Sequence, residues 1–146
     1  MTLNHLLIAN RGELAIRIAR SAAEAGLRSH AIFSEDDAES EHVHKADAAH
    51  PLTGTGPATY LDADQIIRVA LDTQCDAIHP GYGFLSENAH FARRCAQAGV
   101  RFVGPTPQEL ETLGDKGTAR KLARNVAYPS CRGPTPPHRS TKRGAF

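Results

Sequence analysis

Residues 79–88 read His-Pro-Gly-Tyr-Gly-Phe-Leu-Ser-Glu-Asn and gather the side chains best suited to chemistry in this 146-residue sequence. The run begins where a buried strand, Asp76-Ala77-Ile78, should end, and it finishes where a helix should start. Gly81 and Gly83 let the backbone take dihedrals closed to other residues and approach another surface. Ser86, Glu87 and Asn88 suit a helix N-terminus. A turn of this kind, at the carboxyl end of a strand in an α/β sheet, is where ligands are usually met. His79 borders the turn and can hydrogen-bond across it; a structural role is the stronger reading for it.

Two further turns should also follow strands: Asn10-Arg11-Gly12-Glu13 and Gly104-Pro105-Thr106. In a parallel sheet all three lie along one carboxyl edge and can converge on a single cleft. Helix starts there would present free N–H groups to an anion. The plainer alternative is three well-formed strand–helix turns, and spacing does not separate the two. A dinucleotide site is excluded, because its fingerprint needs Gly-x-Gly-x-x-Gly after the first strand and that turn holds only Gly12. The acidic Glu35-Asp36-Asp37 reads as solvated loop charge. His42 and His44, two apart in a polar stretch, read as loop residues, and the eight histidines show no metal-ligand spacing. Cys95 reads as a small packing residue. Arg17, Arg20 and Glu24 share a helix face, which by residue type alone is a solvated one.

The elements that must position these turns follow from periodicity. His5–Ala9 reads as a strand and Leu14, Ile18 and Ala22 recur at helical spacing, with Gly26 as the stop. Ser29–Phe33 is the second strand, completing a βαβ unit with its parallel sheet and right-handed crossover. Residues 38–60 are less regular, with a short strand over Ala49–Leu52. Asp62 can cap a helix that buries Ile66, Ile67, Ala70 and Leu71. Ser86 should open the next helix, with Phe91, Cys95 and Ala98 inward and Gly99 as its stop. Val100–Val103 is the last strand, and Thr106-Pro107-Gln108-Glu109 is a capping box with proline in the first turn. Strand–helix alternation over residues 1–113 predicts a doubly wound parallel α/β sheet.

Composition bounds the class. The length suits one domain. No apolar run is long enough for a membrane span and no leader is visible. Three cysteines without a paired motif argue for a reducing compartment, hence a cytoplasmic protein, and against a zinc site. Positions 1–115 hold all sixteen acidic residues and nine basic ones, whereas the last 31 residues hold eight basic and no acidic ones. From Asn125 onward prolines fall among Ser, Thr, Gly and basic residues, a composition that predicts disorder. That tail has only Tyr128 and Phe146 for stacking and no nucleic-acid motif, which argues against binding RNA or DNA.

Together these runs resemble the N-terminal domain of biotin carboxylase, the ATP-dependent subunit or domain of acetyl-CoA, propionyl-CoA, pyruvate and urea carboxylases. The resemblance is carried by Ile8-Ala9-Asn10-Arg11-Gly12-Glu13 with Arg17-Ile18, Tyr60-Leu61, residues 77–88, Phe102-Val103-Gly104-Pro105 and Gly114-Asp115-Lys116. It covers positions 4 to about 124, in family order. It implies a doubly wound, Rossmann-like pre-ATP-grasp domain over 1–114, the start of an ATP-grasp segment over 115–124, and an aberrant tail over 125–146. It implies an activity in which ATP and bicarbonate form carboxyphosphate, which carboxylates biotin on its carrier protein. By this likeness Lys116 contacts ATP, while His79, Gly81, Gly83, Glu87 and Asn88 edge the active site. Arg20 and Glu24 would lie at a homodimer interface. The implied cofactors are ATP, Mg2+ and carrier-bound biotin; the implied partners are the biotin carboxyl carrier protein and carboxyltransferase.

After Gly-Asp-Lys the sequence departs from the family. Asn125-Val126-Ala127-Tyr128-Pro129 stands where a Gly-Val-Pro strand is expected, and the acid-free tail looks like out-of-frame translation. The family's metal ligands, bicarbonate-binding and catalytic residues would lie beyond this end. The sequence therefore predicts a truncated biotin carboxylase, inactive by itself, with no catalytic or metal-binding residue in the chain and no tight cofactor binding. The alternative is a non-catalytic binding module that docks on full-length subunits or, as the weaker option, takes nucleic acid through its basic tail.

Overall fold

The computed structural model describes residues 2–125. The disorder expected of the basic tail lies outside the described residues, as does Cys131.

Apolar runs become the centre of the sheet. Strand β1 (His5–Ile8) buries Leu6, Leu7 and Ile8 on both faces, as a central parallel strand must. Around it lie α1 (Gly12–Glu24), β2 (Arg28–Phe33), α2 (Glu41–Lys45) and β3 (Ala48–Pro51). Then follow α3 (Ala63–Asp72), β4 (Ala77–His79), α4 (Ala89–Gln97), β5 (Arg101–Phe102), α5 (Pro107–Gly114) and α6 (Lys116–Asn125). Short 3-10 helices span Glu35–Asp37 and Pro57–Leu61. The five strands pair in the order β3-β2-β1-β4-β5, all parallel. The predicted fold class is observed.

Two cores flank the sheet. Ala15, Ile18, Ala19 and Ala22 of α1 pack on Leu6, Ile8 and Ala77. On the other face Ile66, Ile67 and Ala70 of α3 and Phe91 and Cys95 of α4 pack on Leu7, Ile32 and Ile78. The strand order reverses between β1 and β4, so a crevice opens outside their carboxyl ends. That crevice lies between the Asn10 turn and the Gly81–Asn88 run.

Four expectations are corrected. The fourth helix starts at Ala89, not Ser86, because residues 83–88 first close two tight turns (Ser86 N–H to Gly83 O, 2.9 Å; Asn88 N–H to Leu85 O, 3.1 Å). Asn88 is its cap, with the side-chain oxygen accepting from Phe91 N–H at 2.9 Å. Leu71 is half exposed, since one residue past Ala70 the helix has already turned its next position away. His42 and His44 lie on α2 rather than in a loop, and His42 is buried with its Nε2 3.2 Å from Ile32 O. The Glu35-Asp36-Asp37 carboxylates are not idle solvated charge: Glu35 accepts from Gly54 N–H, Asp36 from Gly56 N–H, and Asp37 from several side chains.

The two described cysteines, Cys75 and Cys95, are buried free thiols. Burial pushes Cys95 up to about 11, which leaves it unreactive at neutral pH.

Candidate functional site

The cleft is built on one amide. Asn10, just past β1, is buried, and its Nδ2 donates to Pro80 O at 2.8 Å and Tyr82 O at 2.9 Å. Its Oδ1 accepts from Arg11 N–H at 2.9 Å. Every polar group of the side chain is used, and both turns are fixed against each other across the strand-order reversal. Gly81 makes this approach feasible. Its φ is +68°, and a Cβ there would stand 2.6 Å from Leu14 Cδ2 and 2.8 Å from Asn10 Nδ2. Gly83 (φ +69°) and Phe84 (φ +42°) continue the left-handed path; for Phe84 that conformation is strained and needs support from its surroundings.

That support comes from Tyr60. Its ring lies against Phe84, centroids 5.2 Å apart, while the Arg11 guanidinium sits 5.8 Å above the Tyr60 ring. The Tyr60 hydroxyl donates to Asp37 Oδ2 at 2.7 Å, and Arg11 Nη1 donates to the same oxygen at 2.7 Å. Ser34 and Ser40 hydroxyls add further bonds to this carboxylate. Burial alone would raise the Asp37 carboxyl, but the bonds from Tyr60, Arg11 and Ser40 outweigh it and bring it down to about 2. Burial, then the bond to Asp37, pushes the Tyr60 phenol up to about 12. The pair is thus a fixed anion and a fixed neutral donor over the ordinary pH range.

His79, at the end of β4, accepts the Gly81 N–H at Nδ1, 3.0 Å away. An N–H can only donate to a lone pair, so this imidazole is neutral with its hydrogen on Nε2. Burial also lowers its pKa. The expected structural role is what the geometry shows.

Beyond this turn a cavity of about 370 Å3 is lined by Glu87, Pro105, Glu109, Leu110, Leu113, Gly114 and Lys116. Two of the three expected turns therefore share it with the first residue of α6, and the third is tied to the glycine turn through Asn10. The cavity offers a carboxylate pair and one ammonium around an apolar floor. Asp115 caps α6 by accepting from Thr118 N–H at 2.7 Å, and Thr106 and Glu109 form the predicted reciprocal cap of α5.

Of the site residues expected from the sequence, His79, Gly81, Gly83, Glu87 and Asn88 lie along one turn, and Lys116 lines the same cavity as Glu87. Asn88 spends its side-chain oxygen on the α4 cap. Arg20 and Glu24 are exposed on α1, and Arg20 lines a separate hollow with Lys45 and Asp47. Among the described residues no three His, Cys, Asp or Glu side chains gather as a metal centre. Asn10, Arg11, Asp37 and Tyr60 were not singled out as site residues. The sequence signal was present, in an Asn-Arg-Gly turn directly after a buried strand, but pairing it with an acidic residue 26 positions on required the fold.

The family profile described as "Biotin carboxylase, N-terminal domain" matches residues 2–110. The pyruvate carboxylase of Aspergillus terreus is 51% identical over 127 residues, covering 84% of this chain and 11% of the relative. That of Bacillus subtilis is 47% identical over 131 residues, covering 88% and 11%. A solved biotin carboxylase domain of a single-chain bacterial carboxylase superposes with a TM-score of 0.84 at 52% identity, covering 86% of this chain and 30% of that one. The chain thus spans about a tenth of the length of these carboxylases. With the profile, the parallel order and the glycine turn in agreement, the chain belongs to the biotin carboxylase N-terminal domain family.

Proposed function

We propose that this domain forms one wall of a biotin carboxylase active site, in an assembly that carboxylates carrier-bound biotin with ATP and bicarbonate. Residues 2–114 form the α/β domain in this reading, and α6 begins the segment that folds over the nucleotide. Lys116 contacts an ATP phosphate as a point charge on a flexible stem. The His79–Asn88 turn forms the cleft edge. ATP supplies the phosphoryl group that activates bicarbonate; this chain's residues hold the nucleotide side of the cleft and keep its floor rigid. Mg2+ and the reacting atoms are held by residues outside the described ones. Carrier protein, carboxyltransferase and a homodimer contact through Arg20 and Glu24 complete the proposal.

The observation that carries it is the shared cavity: Lys116 and Glu87 face one space beside the crevice where the strand order reverses. A graft tests it. This chain's residues 2–125 replace the matching segment of the Bacillus subtilis pyruvate carboxylase, and biotin-dependent ATP cleavage is measured. The expected result is turnover, with Lys116→Gln raising the KM for ATP about ten-fold or more, one lost charged phosphate contact. A folded hybrid without turnover, or with a KM indifferent to Lys116, contradicts the proposal.

A further inference from the structure

Three imidazoles cross the sheet in a line that the cleft does not use. His5 of β1 stands opposite Arg28 and His30 follows two residues later; His30 of β2 stands opposite Ala48 and His50 follows two later. Residues two apart share a sheet face, here the one where Leu7 and Ile32 pack against α3 and α4. His5 Nδ1 lies 3.0 Å from His30 Nε2, and His30 Nδ1 lies 3.0 Å from His50 Nε2. The ring centres are 5.2 and 5.3 Å apart. What the nitrogen contacts leave of those separations is only the span of two ring radii. The rings therefore meet nitrogen to nitrogen, in line, and each contact is an N–H···N bond.

Hydrogen counting limits what such a chain can hold. Each neutral imidazole carries one N–H and one lone pair. The two links take one hydrogen each, and the two outer nitrogens take one each. That capacity is a single proton above the neutral chain, reached when His30 donates at both ends. A second proton sets N–H against N–H and breaks a link. The surroundings make even the first uptake unfavourable. Burial, then His50, His5 and Arg28, lower the His30 pKa while Asp47 opposes them, and burial lowers that of His50. The charged groups facing the chain are Arg28 on β2, Asp47 before β3 and Asp76 before β4. Asp76 already accepts the N–H groups of Asn4 and His5.

We infer that the His5–His30–His50 chain is a proton-sensitive tie joining β1, β2 and β3, intact at neutral pH and parted at β3 on acidification. Strand β3 is an edge. Just beyond it Gly54 and Gly56 anchor on Glu35 and Asp36, and Tyr60 reaches Asp37. Loosening β3 slackens the Tyr60 support of Arg11 and Phe84, so acid reaches the cleft from the far side of the sheet. The sign follows from the lowered folded-state pKa values: this stability is full above the ordinary imidazole value and is lost as pH falls below it.

Proton-detected imidazole 15N spectra of the full chain, from about pH 8 to about pH 5, test this. The expected result is one protonated and one bare nitrogen on His30 at the high end. His30 and His50 then titrate in shared, multi-step curves, and hydrogen-exchange protection at 49–52 falls alongside. Independent single-step curves for His30 and His50, or unchanged protection once the rings are charged, overturn the inference. His50→Gln removes the outer ring and keeps an amide. Its unfolding constant should vary about ten-fold less over that range than the native chain's; equal variation overturns the tie. Should that variant not fold, the native spectra decide.

Discussion

At the residue scale the cleft depends on groups with no spare bonding capacity. Asn10 offers two N–H bonds to Pro80 O and Tyr82 O and accepts a third from Arg11. Asn10→Ala leaves buried carbonyls unpaired and should cost about 2–3 kcal/mol in urea unfolding. Gly81 and Gly12 make a controlled pair. Both have positive φ, but a Cβ at Gly12 meets nothing within 4 Å whereas one at Gly81 meets Leu14 and Asn10. Gly12→Ala should therefore cost about 1 kcal/mol, the backbone term alone. Gly81→Ala should cost about 2 kcal/mol more, because packed side chains must move. Equal losses would mean the turns do not touch as described. The glycines and their conformational purpose were legible in the sequence; the approach of Gly81 to Asn10 was not, because it joins residues 71 positions apart.

Among the elements, the segment between β2 and α3 was read least well. Its polar letters gave no period, yet Tyr60 is buried and the three carboxylates of 35–37 each take bonds. What orders it is a hydrogen-bonded network rather than an apolar stripe, and such networks leave little trace in hydrophobic spacing. Asp37→Asn should remove about 2 kcal/mol at neutral pH. The sign is that of a depressed carboxyl: its stability is present above the ordinary value of 3.8 and lost as pH falls towards about 2. The loss on mutation should therefore shrink steadily in acid, measured by unfolding at stepped pH. Helix starts were mostly legible. Asp62 and Thr106 cap as expected. The error at Ser86 arose because Ser86 and Asn88 are both good caps, and only the tight turns over 83–88 decide between them. Asn88→Ala should cost about 1 kcal/mol, whereas Ser86→Ala should cost less than half of that.

For the whole molecule, alternation gave the parallel α/β class, and the right-handed crossover followed from it. The order β3-β2-β1-β4-β5 could not be read from local pattern, since it depends on which strand pairs with β1. That order places the Asn10 and Gly81 turns side by side and so opens the candidate cleft. Burial lowers His30, His42, His50 and His79 together. Stability of the chain should accordingly fall as pH drops below about 6.5, the free imidazole value. A flat unfolding midpoint between about pH 7.5 and 5 would contradict those burials. The most direct test of the central claim is an amide chemical-shift titration of the full chain with ATP and Mg2+. Shifts are expected at 81–88 and around Lys116, reduced by Lys116→Gln. A response confined to the Arg20 and Glu24 face of α1, or one at 81–88 that Lys116→Gln leaves unchanged, would contradict the claim.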